Sequence, residues 1–350
     1  MKCLATGSSG LLGHCLVERL EQRGDTLRLA DIALPEGPGH REEHERVLLD
    51  ISEPGALDAH ARGMDVIFHL AAAQRMKPQF QWSEERIYRS NLAAVRNVLR
   101  AAERCGVAKV VHMSSSGVYG LPRTHPVLED HPFGPLGSYG ESKIEAEKEC
   151  LEALERGLDV TALRPMTLFG PRMTGVFTIL FEWIRRGKPV FLLGSGENRV
   201  QGASAWDVAD ACIAAVGRPS ACGAIVNVGA DPTTVPTVKE WVRGLAAHAG
   251  SASPVVCIPS ALLRNTARAL DAIGWSPIVP EHYTLADADF VLDIDAARRA
   301  LGWEPRYDNA AMLAEAYDWY VGLPAAQRPP QHPVLRALNA LMPGFGAPAT

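Results

Sequence analysis

Lys2-Cys3-Leu4-Ala5-Thr6 runs straight into Gly7-Ser8-Ser9-Gly10-Leu11-Leu12-Gly13. The first five residues, mostly apolar, read as a buried strand, and the amphipathic stretch 11–23 reads as a helix. Glycines at such a junction serve three ends: a tight turn, close backbone approach to a pyrophosphate, and tight packing of helix on strand. The helix then meets a phosphate with free N–H groups and a positive dipole end. The spacing is G-x-x-G-x-x-G rather than G-x-G-x-x-G. Its position between a first strand and an amphipathic helix gives it weight that three glycines alone lack.

Outward from this junction the same alternation continues. Short apolar runs at 27–31, 47–51, 65–71, 110–114 and 160–164 read as buried strands. The stretch Asn91–Cys105 reads as a helix, with Leu92, Val95, Val98, Leu99 and Ala102 at helical spacing. Strand–helix alternation implies an α/β fold, a doubly wound parallel sheet of Rossmann type with right-handed crossovers. After Arg164-Pro165 the pattern loosens into helices expected at 176–186, 206–216, 238–249 and 260–270, with a strand at 225–228. These form a smaller mixed α/β domain capping the sheet. The expected division is a dinucleotide-binding domain over 1–165 and a substrate-binding domain over 166–321, with segments at about 203–230 returning to the core. A Pro/Ala-rich tail over 322–350 follows, with a short amphipathic stretch at 334–342. Segment 276–289 reads as a long loop of the kind that carries substrate contacts.

The chain has 350 residues, 47% of them hydrophobic, which suits a packed core and excludes a disordered chain. Thirty-five Lys and Arg against 40 Asp and Glu, with no long basic run, argue against a nucleic-acid binder. Seven cysteines without a C-x-x-C pair argue against a zinc or disulfide scaffold and fit a reducing compartment. Neither an integral membrane segment nor a signal peptide is expected, so the expected location is the cytoplasm.

Asp31 closes the second strand, where a carboxylate can accept hydrogen bonds from the adenosine ribose and repel a 2′-phosphate; this favours NAD over NADP. Asp50, closing the third, is expected near the adenine. The fifth strand ends in Ser114-Ser115-Ser116-Gly117-Val118-Tyr119-Gly120, and Tyr139-Gly140-Glu141-Ser142-Lys143 opens the next helix. Tyr139 and Lys143, four apart, share one helix face. An ammonium beside a phenol lowers its pKa, so the tyrosine can exchange a proton with a substrate hydroxyl while a cofactor exchanges a hydride. A serine at the neighbouring strand tip would orient the same oxygen.

Taken together, these motifs resemble the extended short-chain dehydrogenase/reductase superfamily, in its NAD-dependent epimerase/dehydratase group. The resemblance also rests on His69-Leu70-Ala71-Ala72, Leu163-Arg164-Pro165, Phe169-Gly170-Pro171-Arg172, Asp207-Val208-Ala209 and Leu301-Gly302-Trp303-x-Pro305. It implies Tyr139 as acid/base, Lys143 as its partner and a ribose ligand, and Ser115 as the orienting hydroxyl. It implies NAD contacts from Gly7, Ser9, Gly10, Leu11, Gly13, Asp31, Asp50, Ile51, Leu70, Ala71, Ala72 and Ala73, with Asn91 supporting the site. Substrate contacts are expected from Ser116, Thr167, Arg172, Arg199 and His282, and no metal. A homodimer follows from the same resemblance.

Three departures bear on the substrate. Ser116 and Gly117 stand where sugar 4,6-dehydratases carry an Asp-Glu pair, which argues against elimination. Met166-Thr167 replaces an Asn that meets a phosphate in many nucleotide-sugar enzymes. In Gly194-Ser195-Gly196-Glu197-Asn198-Arg199-Val200 the diphosphate-gripping Arg is displaced by one position. The leading expectation is an NAD-dependent epimerase of a nucleotide- or lipid-linked sugar. The alternative is a one-way alcohol dehydrogenase or ketoreductase resembling the 3β-hydroxysteroid dehydrogenase branch. Clustered Arg164, Arg172, Arg185, Arg199 or Arg218 would favour a diphosphate; a cleft of Met173, Phe177 and Trp183 would favour an apolar ligand. His40-Arg41-Glu42-Glu43-His44, an inverted zinc-protease word, reads as a charged loop. His69 and His112 read as hydrogen-bonded core histidines.

Overall fold

The computed structural model describes residues 1–33, 44–74, 83–259, 284–285 and 287–328. Along the chain these form β1 (Lys2–Thr6), α1 (Leu11–Gln22), β2 (Thr26–Asp31), β3 (Glu45–Leu48), α2 (Asp58–Ala61), β4 (Val66–His69), α3 (Glu84–Cys105) and β5 (Lys109–Met113). There follow α4 (Ser138–Glu155), β6 (Asp159–Pro165), β7 (Leu168–Phe169), α5 (Phe177–Arg185), β8 (Val190–Leu193), β9 (Ala203–Ser204), α6 (Ala205–Ala214) and β10 (Ile225–Val228). The last described elements are α7 (Val238–His248), β11 (Val255–Ile258), α8 (Asp295–Leu301) and α9 (Asn309–Gly322).

Seven parallel strands make one sheet in the order β10-β6-β5-β4-β1-β2-β3. The winding reverses between β1 and β4, and in such sheets ligands bind beyond the strands' carboxyl ends at that reversal. Alternation along each strand sorts side chains to two faces. Cys3, Ala5, Phe68, Val111 and Met113 pack with α1, α6 and α8 on one face. Leu4, Ile67, Val110 and Val160 pack with α3 and α4 on the other. A third cluster gathers α5, β8, α7 and α9 around Phe181, Trp241 and Tyr317.

Two elements depart from the sequence reading. β3 runs over Glu45–Leu48 instead of 47–51, and it is not buried: Leu48 is 68% exposed at the sheet's edge. Its polar half pairs through Arg28 Nε donating to Glu45 Oε2 at 2.6 Å, a signal that hydrophobic runs do not carry. α3 begins at Glu84, seven residues before the expected start. Ser83 caps it by accepting from Arg86 N, and Glu84 and Glu85 suit the positive end of the dipole. Only Ile87 marks the apolar face in that first stretch. The expected helix at 260–270, the tail stretch 334–342, most of loop 276–289 and His282 lie outside the described residues. No described helix is long and apolar enough to cross a membrane.

Candidate active site

The glycine loop sits at the winding reversal. Gly7 has φ +74, and a Cβ there would lie 2.6 Å from Ala71 N at the end of β4. A Cβ at Gly13 would lie 2.3 Å from Gly7 O, so α1 docks on the loop only without a side chain. α1 has no side-chain cap and no acid in its first turn, which leaves its positive end open to an anion. Ser9 Oγ is buried beside it with no hydrogen-bond partner among the described residues. These features fit the pyrophosphate of a dinucleotide. Asp31 accepts from Ser9 N at 3.0 Å and Ala33 N at 3.2 Å, so its carboxylate borders the glycine loop. Asp50 is exposed and accepts from Ser52 N and Oγ, whereas Ile51 is buried under α3. Asn97 pins that turn by donating to the carbonyls of Ile51, Ser52 and Glu53.

Asn91 is a structural staple. Its Oδ1 accepts from Ala73 N at 2.7 Å, and its Nδ2 donates to Ala73 O at 3.1 Å and to Ser142 Oγ at 3.0 Å. Ser142 Oγ donates in turn to Tyr139 O at 2.7 Å. One amide therefore ties the segment 71–73 to the helix that carries Tyr139.

Tyr139 lies in the first turn of α4 and Lys143 one turn on, both beside the end of β5. Ser115 is extended, and its Oγ accepts from Gly117 N at 3.0 Å, which leaves its own proton free to donate. Burial pushes the Tyr139 phenol above its ordinary pKa, while hydrogen bonding with Gln74 and with Ser115 pulls it back. Lys143 donates to Met113 O at 2.6 Å, and its Nζ lies 5.7 Å from the Tyr139 ring centroid. Burial lowers it to about 8, with Cys150 and Glu147 opposing. In this arrangement the ammonium is hydrogen-bonded to the backbone at the end of β5, not to the phenol. Gln74 carries no sequence signal beyond following His69-Leu70-Ala71-Ala72-Ala73.

Beneath Lys143, the rings of His69 and His112 stand 5.2 Å apart. His69 Nδ1 and Thr6 Oγ1 share a hydrogen bond of 2.9 Å, and burial drives His69 down to about 3. His112 is likewise pushed down by burial, but neither ring nitrogen has a partner among the described residues, so the expected hydrogen bond is found only for His69.

The arginine cluster does not form as a free set. Arg164 is buried: Nε and Nη2 donate to Glu147 at 2.8 and 2.7 Å, and Nη1 donates to Tyr119 Oη at 2.7 Å and Glu129 O at 2.9 Å. Arg185 pairs with Glu182, and Arg199 donates to Val235 O. Arg172 takes φ +69, rare for a non-glycine residue, and its charge acts on His14 and Cys15 of α1. Of the apolar set, Met173 is core, while the partly buried Phe177 packs edge-on against Phe169 and Trp183 against Phe191. Ser116 is buried, and Thr167 is exposed just beyond β6. His44 pairs with Glu21; the rest of its motif lies outside the described residues. The two distal motifs meet, since Asp207 accepts from Arg306 N and Tyr307 N while Trp303 Nε1 donates to Asp207 O.

Comparison with known proteins places this geometry. The model of the NAD dependent epimerase/dehydratase family matches residues 3–229. The chain is 33% identical over 318 residues to the uncharacterized protein y4nG of Sinorhizobium fredii, covering 91% of this chain and 78% of that protein. It is 29% identical over 305 residues to the UDP-glucose 4-epimerase of Mycolicibacterium smegmatis, covering 80% of this chain and 94% of that protein. A match to the decarboxylating sterol-4-alpha-carboxylate 3-dehydrogenase of Mus musculus reaches 31% over 206 residues but spans 57% of this chain and 54% of that protein. The structure of MoeE5 in complex with UDP-glucuronic acid and NAD superposes with a TM-score of 0.73 at 25% identity, covering 91% of this chain and 98% of that one. The chain belongs to the NAD-dependent epimerase/dehydratase family of the extended short-chain dehydrogenase/reductases, enzymes whose cofactor is NAD.

Proposed function

We propose that this enzyme is an epimerase of a nucleotide- or lipid-linked sugar, with Tyr139 as acid/base, Ser115 as the orienting hydroxyl and Lys143 as the cation behind them. The observation that carries the reading is the half-buried Tyr139 side chain, faced by Ser115 and backed by the buried Lys143, at the carboxyl end of the sheet beside the glycine loop. Bound NAD supplies a reversible hydride acceptor there. Tyr139 takes the proton of the substrate hydroxyl as that carbon is oxidised, and Ser115 donates to the same oxygen. The keto sugar turns in the cleft, and Tyr139 returns the proton when the carbon is reduced on its other face. One acid/base serves both directions, so no second carboxylate is needed. The match to the epimerase relative spans 94% of that protein and 80% of this chain, whereas the sterol dehydrogenase match spans little more than half of each, and this favours the sugar.

A second reading, a one-way alcohol dehydrogenase, draws on the spent arginines: with Arg164, Arg185 and Arg199 bonded within the chain, a diphosphate has fewer cations to meet. The NAD content of purified, denatured protein separates the two. Near-stoichiometric NAD together with interconversion of UDP-glucose and UDP-galactose or of their uronates supports the epimerase. Empty protein that reduces added NAD with an alcohol overturns it. Tyr139→Phe is expected to fold, to bind NAD and to lose at least about 100-fold in turnover; near-normal turnover refutes the acid/base assignment.

A further inference from the structure

We propose that Gly140 is a positioning residue: by carrying no side chain it sets how close the Ser115 hydroxyl stands to the Tyr139 ring. The proposal rests on the assignment of Tyr139 and Ser115 to the proton exchange. Gly140 is buried in the first turn of α4, directly after Tyr139. Glycine is disfavoured in a helix because it has more backbone freedom to lose than alanine, so a glycine here asks for a packing reason. The reason lies across the gap to the tip of β5. A Cβ at position 140 would meet Gly117 O at 2.7 Å, Pro135 Cβ at 2.8 Å and Gly117 C at 3.4 Å. The backbone of Gly117 therefore lies directly on the helix, glycine against glycine.

Gly117 couples this contact to the reacting groups. Its N–H donates to Ser115 Oγ at 3.0 Å. A Cβ on it would lie 3.3 Å from that oxygen and 3.9 Å from both Cδ1 and Cε1 of the Tyr139 ring. One residue thus holds the hydroxyl, borders the ring and rests its carbonyl on Gly140. A methyl at position 140 must find about 0.7 Å, the step from 2.7 Å to the 3.4 Å at which ordinary contact begins. The helix is held where it is by α3, through Asn91 and Ser142 to Tyr139 O and through Glu84 to Ser138 N. The turn 115–117 gives instead, and the Ser115 hydroxyl retreats from the phenol with it.

The test compares NAD-loaded wild type with Gly140→Ala, Ser115→Ala and the double variant, with Gly244→Ala as control. Gly244 is exposed in α7 with open space where its Cβ would stand, so its replacement reports helix propensity alone and is expected to keep full turnover. Gly140→Ala is expected to hold KM within about twofold while kcat falls at least about tenfold, as misplacing a reacting group does. In the Ser115→Ala background the same change is expected to cost less than about twofold, because the hydroxyl it displaces is gone. Full kcat in Gly140→Ala, or an equal loss in both backgrounds, overturns the proposal. Pro135→Gly removes the contact with the Pro135 side chain, and Gly140→Ala in that background is the form used if the single variant does not fold. Crystal structures of wild type and Gly140→Ala with NAD read the spacing without substrate. Ser115 Oγ is expected to draw back from the Tyr139 ring by about 0.7 Å, and an unchanged separation overturns the proposal. Normal turnover by Ser115→Ala strikes the Ser115 assignment, and inactivity of wild type toward UDP-glucose, UDP-galactose and their uronates strikes the sugar reading. In either case the two structures decide the role of Gly140.

Discussion

Arg164→Met is the perturbation whose cost can be worked most fully from the structure. Arg164 is 4% exposed and Glu147 3% exposed, and the two meet through paired hydrogen bonds of 2.8 and 2.7 Å. Methionine fills much of the stem's volume but supplies no donor. Among the described residues Glu147 would keep only Ser114 Oγ, at 2.5 Å, as a hydrogen-bond partner, and Tyr119 Oη and Glu129 O would each lose a donor. Removing one member of a buried ion pair costs about 3–5 kcal/mol, because the other charge stays buried and uncompensated. Replacing both members by apolar groups of similar volume costs far less, since the desolvation of both charges is avoided. Urea unfolding of wild type, Arg164→Met, Glu147→Met and the double variant measures this as a coupling energy. Each single variant is expected to lose about 3–5 kcal/mol and the double variant less than half their sum. A single-variant loss under about 1 kcal/mol, or simple additivity, refutes the argument that the pair acts as one unit.

Lys143 gives a pH-dependent prediction with a fixed sign. Burial lowers it from 10.5 to about 8, so between those values the unfolded chain holds a proton that the folded chain has released. Stability therefore rises with pH across that window. Relative to Lys143→Met, wild type is expected to gain on the order of 3 kcal/mol there; parallel stability curves for the two proteins refute it. For Asp31→Ala, fluorescence titration is expected to show about tenfold weaker NADH binding with NADPH binding held or improved, because ribose hydrogen bonds and 2′-phosphate repulsion go together. Equal losses for both cofactors would show that Asp31 does not read the ribose.

The sheet and the Tyr139–Lys143 pair were legible because they rest on local, repeated signals. β1, β10 and the start of α1 fall at their expected positions, and Tyr139 and Lys143 share a turn because helical spacing demands it. β3 and the front of α3 escaped because their polar residues are held by partners distant in sequence: Glu45 by Arg28, and Ser138 by Glu84 across 54 positions. The same distance hid the fate of Arg164, whose motif neighbours say nothing of Glu147 seventeen residues earlier.

The seventh strand of the sheet has a consequence for how the chain is made. β10 lies 60 residues beyond β6 yet zips against it, from Ala162 N donating to Ala224 O at 2.9 Å to Met166 N donating to Val228 O at 3.0 Å. A ribosome works from the N-terminus, so for the whole time that residues 166–224 are being synthesised β6 is the bare rim of an unfinished sheet. A naked, apolar rim is a template for pairing with other chains. The emerging protein is thus most open to aggregation midway through translation, and a fragment cut after Pro165 would carry that rim permanently. Completion of residues 225–228 closes it, which makes the later half of the chain the guardian of the earlier one.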